Sequence, residues 1–257
     1  MADFTKLIDE MAGYNHEEGL APVSPADFDK IIHNRRSVRF FTEEKVPDEV
    51  VERVLDWGLL APNSSNLQPW EFYRVKDPLK KAELVSALLS QPAARTAQEL
   101  IVAVAKRGNW KGVSRQMLEK FEVTPDVPKA AKDYYGKIVP LAYTVGPFGV
   151  LGILKKIVLT FVGLTRPIPR EPTSVADMRV WAAKSTSLAC ENMMLGFSAF
   201  GYDSCPMEGY DSARVKKILG LGRKDEVVMV IGAGKRDPKG VYGPRIRMPR
   251  DQFVKTI

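Results

Sequence analysis

The apolar positions of the chain fall into alternating helix-like and strand-like stretches. Phe28, Ile31 and Ile32 recur at the spacing of one helix face and lead into the basic pentapeptide RRSVR at 35–39. Pro47 opens a second helix, with Asp48 and Glu49 in the first turn where the helix dipole favours carboxylates. Val50, Val51, Val54, Leu55 and Leu59 form its apolar stripe, Gly58 weakens that stripe, and Ala61-Pro62 ends it. WEFYRV at 70–75 alternates like a strand. Asp77-Pro78 starts another helix, with Leu79, Leu84, Leu88 and Leu89 as its apolar positions. LIVAVA at 100–105 is a short continuous apolar run and predicts a buried strand. Helical spacing returns from Met178 to Phe200 through Val180, Ala183, Leu188, Met194 and Leu195, with enough Ala and Ser to predict close helix packing. VVMVI at 227–231 predicts the last core strand. Alternating helices and strands give an α/β or α+β class.

Two regions stand outside that rhythm. Residues 1–27 read as an N-terminal extension: a short amphipathic piece, then a loop through Pro22 and Pro25. Residues 107–172 are too long for an ordinary connection and predict an inserted helical, lid-like segment. Within the insert, VGPFGVLGILKKIVLTFVGLT at 145–165 is strongly apolar, with Val150, Ile153, Leu154, Ile157, Val158 and Phe161 at helical spacing. Lys155 and Lys156 near its middle, several glycines and Pro147 argue against a membrane span. Three readings stay open: a helix packed over the core, a lid or partner-chain contact, and an in-plane helix at a membrane surface.

Composition narrows the chemistry. The 257 residues are ample for a core, and 45% hydrophobic with 27% charged residues is ordinary for a globular protein. A net charge of +7 favours an anionic ligand, nucleic acid or an acidic membrane without choosing among them. Cys190, Cys205, His16 and His33 are the only cysteines and histidines, too few for a zinc cluster or a disulfide scaffold, so no metal is expected. The N-terminal stretch is acidic and lacks a long apolar run, so a signal peptide is not expected and a cytoplasmic location is. No nucleic-acid motif and no basic stripe with interleaved aromatics is present.

Four stretches carry candidate chemistry. Arg35, Arg36 and Arg39 with Ser37 offer guanidinium forks and a hydroxyl suited to phosphate oxygens. GPRIRMPRDQF at 243–253 adds Arg245, Arg247 and Arg250, the first two pointing the same way if extended. APNSSNLQPW at 61–70 presents Asn63, Ser64, Ser65, Asn66 and Gln68, able to read a polar ring edge or simply to turn the chain. SCPMEGYD at 204–211 has Pro206 and Gly209 bracketing a predicted tight turn that aims a backbone N–H at a ligand. Glu208 there invites an acid/base role, but the backbone role is preferred. GAGK at 232–235 follows the last strand, yet Asp237 stands where a dinucleotide fingerprint needs its third glycine, and no helix follows.

The ordered set RRSVRxF, APNSSNLQPWEF, a long Ala/Ser-rich helix, PMEGYD and a C-terminal RxR resembles the nitroreductase family of FMN-dependent oxidoreductases. The resemblance covers about residues 28–106 and 173–255. It implies an α+β fold with a mainly antiparallel central sheet flanked by helices, and an intertwined homodimer holding FMN at its interface. By that resemblance Arg35, Arg36, Ser37 and Arg39 match the first FMN-binding segment. Ser64, Ser65 and Asn66, with Gln68 beside them, match a loop that approaches the flavin from the other subunit. Pro206, Met207, Glu208 and Gly209 match the turn facing flavin N5, and Arg245 and Arg247 match the phosphate-binding pair. The implied chemistry is ping-pong hydride transfer from NAD(P)H through flavin N5 to a small organic oxidant, with no obligate catalytic side chain. The enlarged insert is the departure: Trp110, Tyr134 and Tyr135 are candidate substrate-stacking residues. Flavin-dependent dehalogenation or flavin cleavage, and non-catalytic flavin or membrane-peripheral binding, stay open as alternatives.

Overall fold

A computed structural model describes residues 10, 19 and 21–257, so most of the expected N-terminal extension lies outside the described residues. Helix α1 spans Pro25–Asn34 and helix α2 spans Asp48–Leu59. Strand β1 (Trp70–Arg74), helices α3 (Pro78–Ala87) and α4 (Pro92–Thr96), and strand β2 (Glu99–Lys106) follow. The insert folds as α5 (Trp110–Val123), α6 (Lys129–Asp133), a π-turn at Tyr134–Ile138, α7 (Val139–Tyr143) and α8 (Val150–Thr165). Helix α9 (Val175–Ala199), strand β3 (Asp203–Met207), helix α10 (Ser212–Leu219) and strand β4 (Asp225–Gly234) complete the body.

The four strands form one sheet in the order β1-β2-β4-β3, antiparallel throughout, which resolves the class as α+β. β2 explains why LIVAVA shows no alternation. Leu100, Val102 and Val104 face a layer containing Leu84 of α3, Leu88 just past its end and Val215 of α10. Ile101 and Ala103 face Val51, Val54, Met193 and Phe197 from α2 and α9. A strand covered on both faces has no position left for water, so every residue from Leu100 to Ala105 is apolar.

Helix α9 is the central pillar. Ser174 and Asp177 form a capping box at its start, each side chain accepting from the other's backbone N–H. Its buried face runs through Met178, Trp181, Ala182, Ala189, Met193, Met194 and Phe197, so of the expected positions Met194 is buried while others are not. Val180 and Leu188 are exposed. The helix carries apolar residues all round, and its core face includes Ser185 and Thr186, whose hydroxyls donate to the carbonyls one turn back at 3.3 and 2.9 Å. Polarity therefore does not mark the outer side. Leu59, Leu79 and Leu89 are likewise exposed, while Gly58 is a contact point: a Cβ there would lie 2.8 Å from Met193 Cγ.

The insert divides in two. Trp110, Tyr135, Val139 and Tyr143 pack against Leu67, Ala105, Met178 and Trp181 as a third apolar cluster. Helix α8 departs from the expectation of a helix packed over the core. Among its side chains Val150, Leu151, Ile153, Leu154, Ile157, Val158, Phe161 and Leu164 are all exposed. Among the described residues no helix is long and apolar enough to cross a membrane.

Candidate functional site

Three separate segments meet beside β3. The Val38 N–H donates to the Ser204 carbonyl at 3.1 Å, and Ser37 pairs with Ser204 in a parallel bridge, so RRSVR lies along β3. From the other side, the Arg39 N–H donates to the Gly240 carbonyl at 2.7 Å and the Asp237 N–H to the Phe40 carbonyl at 3.1 Å. Glycine is required at 240, because a Cβ would sit 2.6 Å from the Phe40 carbonyl oxygen and 2.8 Å from Val38 Cγ1. That close approach delivers the C-terminal basic segment to the first one. Arg36 then donates to the Gly243 carbonyl at 2.6 Å. Arg245 donates to the carbonyls of His33 at 2.9 Å and Arg35 at 2.5 Å, satisfying groups at the C-terminal end of α1.

The two arginine clusters, some 200 residues apart in sequence, thus border one cleft of about 430 Å³. Arg35, Arg36, Arg39, Arg245, Arg247 and Ser37 line it, and among the described residues no carboxylate lines it. Arg35 Nε is 3.9 Å from Glu191 Oε1, a long contact that leaves the positive excess in place. Loss of hydration holds the Arg245 guanidinium below its ordinary pKa, with the charges of Arg247, Arg36 and Arg35 adding to the effect. A bound anion would relieve that crowding, and forked guanidinium donors with a hydroxyl fit the oxygens of a phosphate. Tyr242 is a cleft residue that sequence reasoning missed. Its ring lies 4.8 Å from the Arg39 guanidinium, and only its position two residues after Gly240 hinted at the placement.

The amide-rich loop is a short 3-10 turn at Ser64–Asn66 leading into β1. Ser65, Asn66 and Gln68 have φ of 58°, 48° and 45°, a left-handed backbone uncommon for residues with a Cβ. Asn63 Oδ1 accepts from the Gln68 N–H at 2.7 Å and stabilises the turn from within. Three insert tyrosines brace it from outside. Tyr135 donates its hydroxyl to the Ser65 carbonyl at 2.9 Å, Tyr134 Oη lies 2.7 Å from Ser65 Oγ, and Tyr143 Oη lies 3.0 Å from Ser64 Oγ. Burial pushes the Tyr135 phenol above its ordinary pKa, so it stays a donor. Trp110 and Tyr135 are buried by this packing, with the Tyr135 ring edge-on to Phe121 and Tyr134. Tyr134, the third candidate for stacking on a planar substrate, is half-buried. Ser64, Ser65, Asn66 and Gln68 are absent from the lining of the arginine cleft of their own chain.

The PMEG stretch differs from expectation at its start. Pro206 is a residue of edge strand β3, paired with Ile231, where a missing N–H is tolerated. Met207 is buried below it, and Glu208 and Gly209 are exposed at the strand's end. Gln91 Nε2 donates to the Gly209 carbonyl at 2.7 Å and fixes the turn. The glycines of GAGK lie inside β4, where Cβ atoms would meet Ala93 O at 3.2 Å from position 232 and Phe41 Cβ at 3.0 Å from position 234. They serve close packing. Cys190 and Cys205 are free and buried in the two sheet-facing clusters, and burial pushes the Cys190 thiol up to about 12. Among the described residues no group of His, Cys, Asp and Glu is arranged to hold a metal ion.

This antiparallel sheet with a central helix and an arginine-lined cleft belongs to a defined class. Residues 32–153 and 157–235 match the model of the nitroreductase family, and the chain is a member of that family. A curated relative is the NADH dehydrogenase of Thermus thermophilus, 25% identical over 220 residues, covering 86% of this chain and 91% of that protein. Among solved structures, a nitroreductase family protein from Streptococcus pneumoniae superposes with a TM-score of 0.67 at 19% identity, over 90% of this chain and 100% of that one. A protein from Exiguobacterium sibiricum, solved in complex with FMN, superposes with a TM-score of 0.65 at 21% identity, over 93% and 100% of the two chains.

Proposed function

We infer that the chain is an FMN-dependent oxidoreductase that takes electrons from NAD(P)H and passes them to a small organic oxidant. The observation that carries this reading is the convergence of Arg35, Arg36, Arg39, Arg245 and Arg247 with Ser37 around one cleft that no carboxylate lines among the described residues. That donor set fits the phosphate of FMN. The names of the relatives, an NADH dehydrogenase and a protein crystallised with FMN, support the choice of cofactor and donor. When bound, FMN would supply two-electron chemistry that couples oxidation of NAD(P)H to reduction of a second substrate in ping-pong order.

The protein's part is to bind and orient. Arg35, Arg36, Arg245 and Arg247 hold the phosphate. Arg39, braced by Tyr242, would supply a fixed positive charge that favours reduction of the bound flavin. The turn at Pro206, Met207, Glu208 and Gly209 offers backbone donors, and no protein nucleophile is required. Residues 28–257 form the FMN-binding domain in this reading, with 107–172 as its insert.

The active unit is a homodimer. The loop at Ser64, Ser65, Asn66 and Gln68 does not reach its own chain's cleft, so a second copy supplies it. An apolar groove where α1, α2 and α9 cross, lined by Phe28, Ile31, Trp57 and Leu195, with the Trp57 and Phe200 rings stacked at 5.2 Å, offers surface for that association. Charge reversal tests the reading: Arg35→Glu and Arg247→Glu strip FMN from the purified dimer. Full flavin retention in both variants would overturn it.

A further inference from the structure

Helix α8 is anchored by polar and backbone contacts along one narrow edge. Lys155 Nζ donates to the carbonyls of Ala142 at 2.5 Å, Leu141 at 3.2 Å and Thr144 at 3.3 Å. Gly152 lies so close to Thr173 that an added Cβ would overlap its carbonyl oxygen. Arg170 donates to the Gly163 carbonyl at 3.0 Å. At 100° per residue these anchors share one side of the helix, whereas the exposed apolar side chains fill a continuous arc of about 160° on the other. The arc includes Ile153, Leu154, Ile157, Val158, Phe161 and Leu164. Lys156 is exposed at its border. The fold therefore holds the helix firmly while turning its apolar side to the outside.

Charge singles out the occupant. Residues 107–172 hold eleven Lys and Arg against five Asp and Glu, so the insert carries +6 of the chain's +7. From 145 to 170 there is no acidic residue, while Lys155, Lys156, Arg166 and Arg170 are present. Two copies packed symmetrically through this segment would bring like charges together with no acid from the segment between them. An anionic lipid surface accepts both features, burying the apolar arc at the headgroup boundary and attracting the basic insert. The 16 residues of α8 span about 24 Å, suited to lying in that plane and too short to cross the hydrocarbon core.

We propose that α8 docks the insert onto the surface of an anionic lipid bilayer. The proposal stands on the insert alone and does not depend on the cofactor reading.

Flotation of the full-length protein with vesicles tests it. Vesicles of phosphatidylcholine containing phosphatidylglycerol carry the protein upward, and pure phosphatidylcholine carries about tenfold less. Ile157→Glu/Phe161→Glu, at two exposed positions, abolishes flotation while thermal unfolding and size in lipid-free buffer stay unchanged. Lys156→Glu weakens flotation on the anionic vesicles. Absence of wild-type flotation, equal flotation on both vesicle types, or retained flotation of the double variant would each overturn the proposal. A drop in oligomeric state of the double variant without lipid would assign the apolar arc to a second copy instead.

Discussion

Tyr135→Phe isolates the brace on the amide-rich loop. The substitution deletes one hydroxyl and keeps the buried ring, so it opens no cavity. It removes the hydrogen bond to the Ser65 carbonyl at 2.9 Å. A neutral bond of this kind contributes about 1 kcal/mol net. The loop it holds has three residues at positive φ, Ser65, Asn66 and Gln68, each costing about 1–2 kcal/mol relative to right-handed backbone. The single variant should lose about 1 kcal/mol of stability in a urea titration. If that loss falls on the loop, the Kd for FMN rises about fivefold. The triple variant Tyr134→Phe/Tyr135→Phe/Tyr143→Phe also removes the contacts to Ser65 Oγ at 2.7 Å and Ser64 Oγ at 3.0 Å. Its loss of about 3 kcal/mol is comparable to the loop strain. Fluorescence titration of apoprotein with FMN reads affinity, and hydrogen exchange over 63–68 reads loop order. A triple variant with flavin affinity within about twofold of wild type and unchanged exchange would refute the brace.

Other outcomes follow from single contacts. Gly240→Ala drives a Cβ into the Phe40 carbonyl and Val38, so it separates the two arginine segments and lowers FMN affinity more than global stability; equal affinity in fluorescence titration contradicts this. The backbone N–H of Thr173, with further hydrogen bonds from Thr173 and Ser174, holds the Asp177 carboxyl below its ordinary pKa. A lowered folded-state pKa gives stability that is present above the unfolded value near 3.8 and lost as pH falls through the folded one. Asp177→Asn should therefore cost about 1 kcal/mol at neutral pH and progressively less in acid below that value, measured by urea titration across pH. A pH-independent difference would contradict the assignment. Cys190, with its thiol pushed up to about 12, should resist iodoacetamide in native protein at pH 8 and react only after denaturation; rapid native alkylation would contradict its burial.

What the sequence revealed depended on where water lies. β2 was legible because burial on both faces leaves a continuous apolar run, and α3 because Asp77 caps it, accepting from the Lys80 N–H at 2.8 Å. The phase of α9 was hidden because its core face admits Ser185 and Thr186 while Val180 and Leu188 are exposed. Helix α8 stayed open between three readings for a related reason. Apolar spacing states which side chains avoid water and says nothing of whether this chain or another surface covers them. Both arginine clusters were visible, but their meeting depends on Gly240 approaching Phe40, a three-dimensional contact with no sequence period. Tyr143 and Tyr242 escaped notice because single tyrosines most often serve packing, and their partners lie 79 and 203 positions away. The strand position of Pro206 was missed because a proline three residues before Gly209 reads as the start of a turn, whereas an edge strand also accommodates it.

Anaerobic titration of the FMN-loaded protein with NADH and NADPH, followed by visible absorbance, tests the central claim most directly. The account predicts that the oxidised-flavin bands bleach with one equivalent of reductant per flavin, and that Arg35→Glu protein gives no such signal because it holds no flavin. A wild-type protein that binds no FMN, or whose flavin spectrum persists under excess NADH and NADPH, would contradict it.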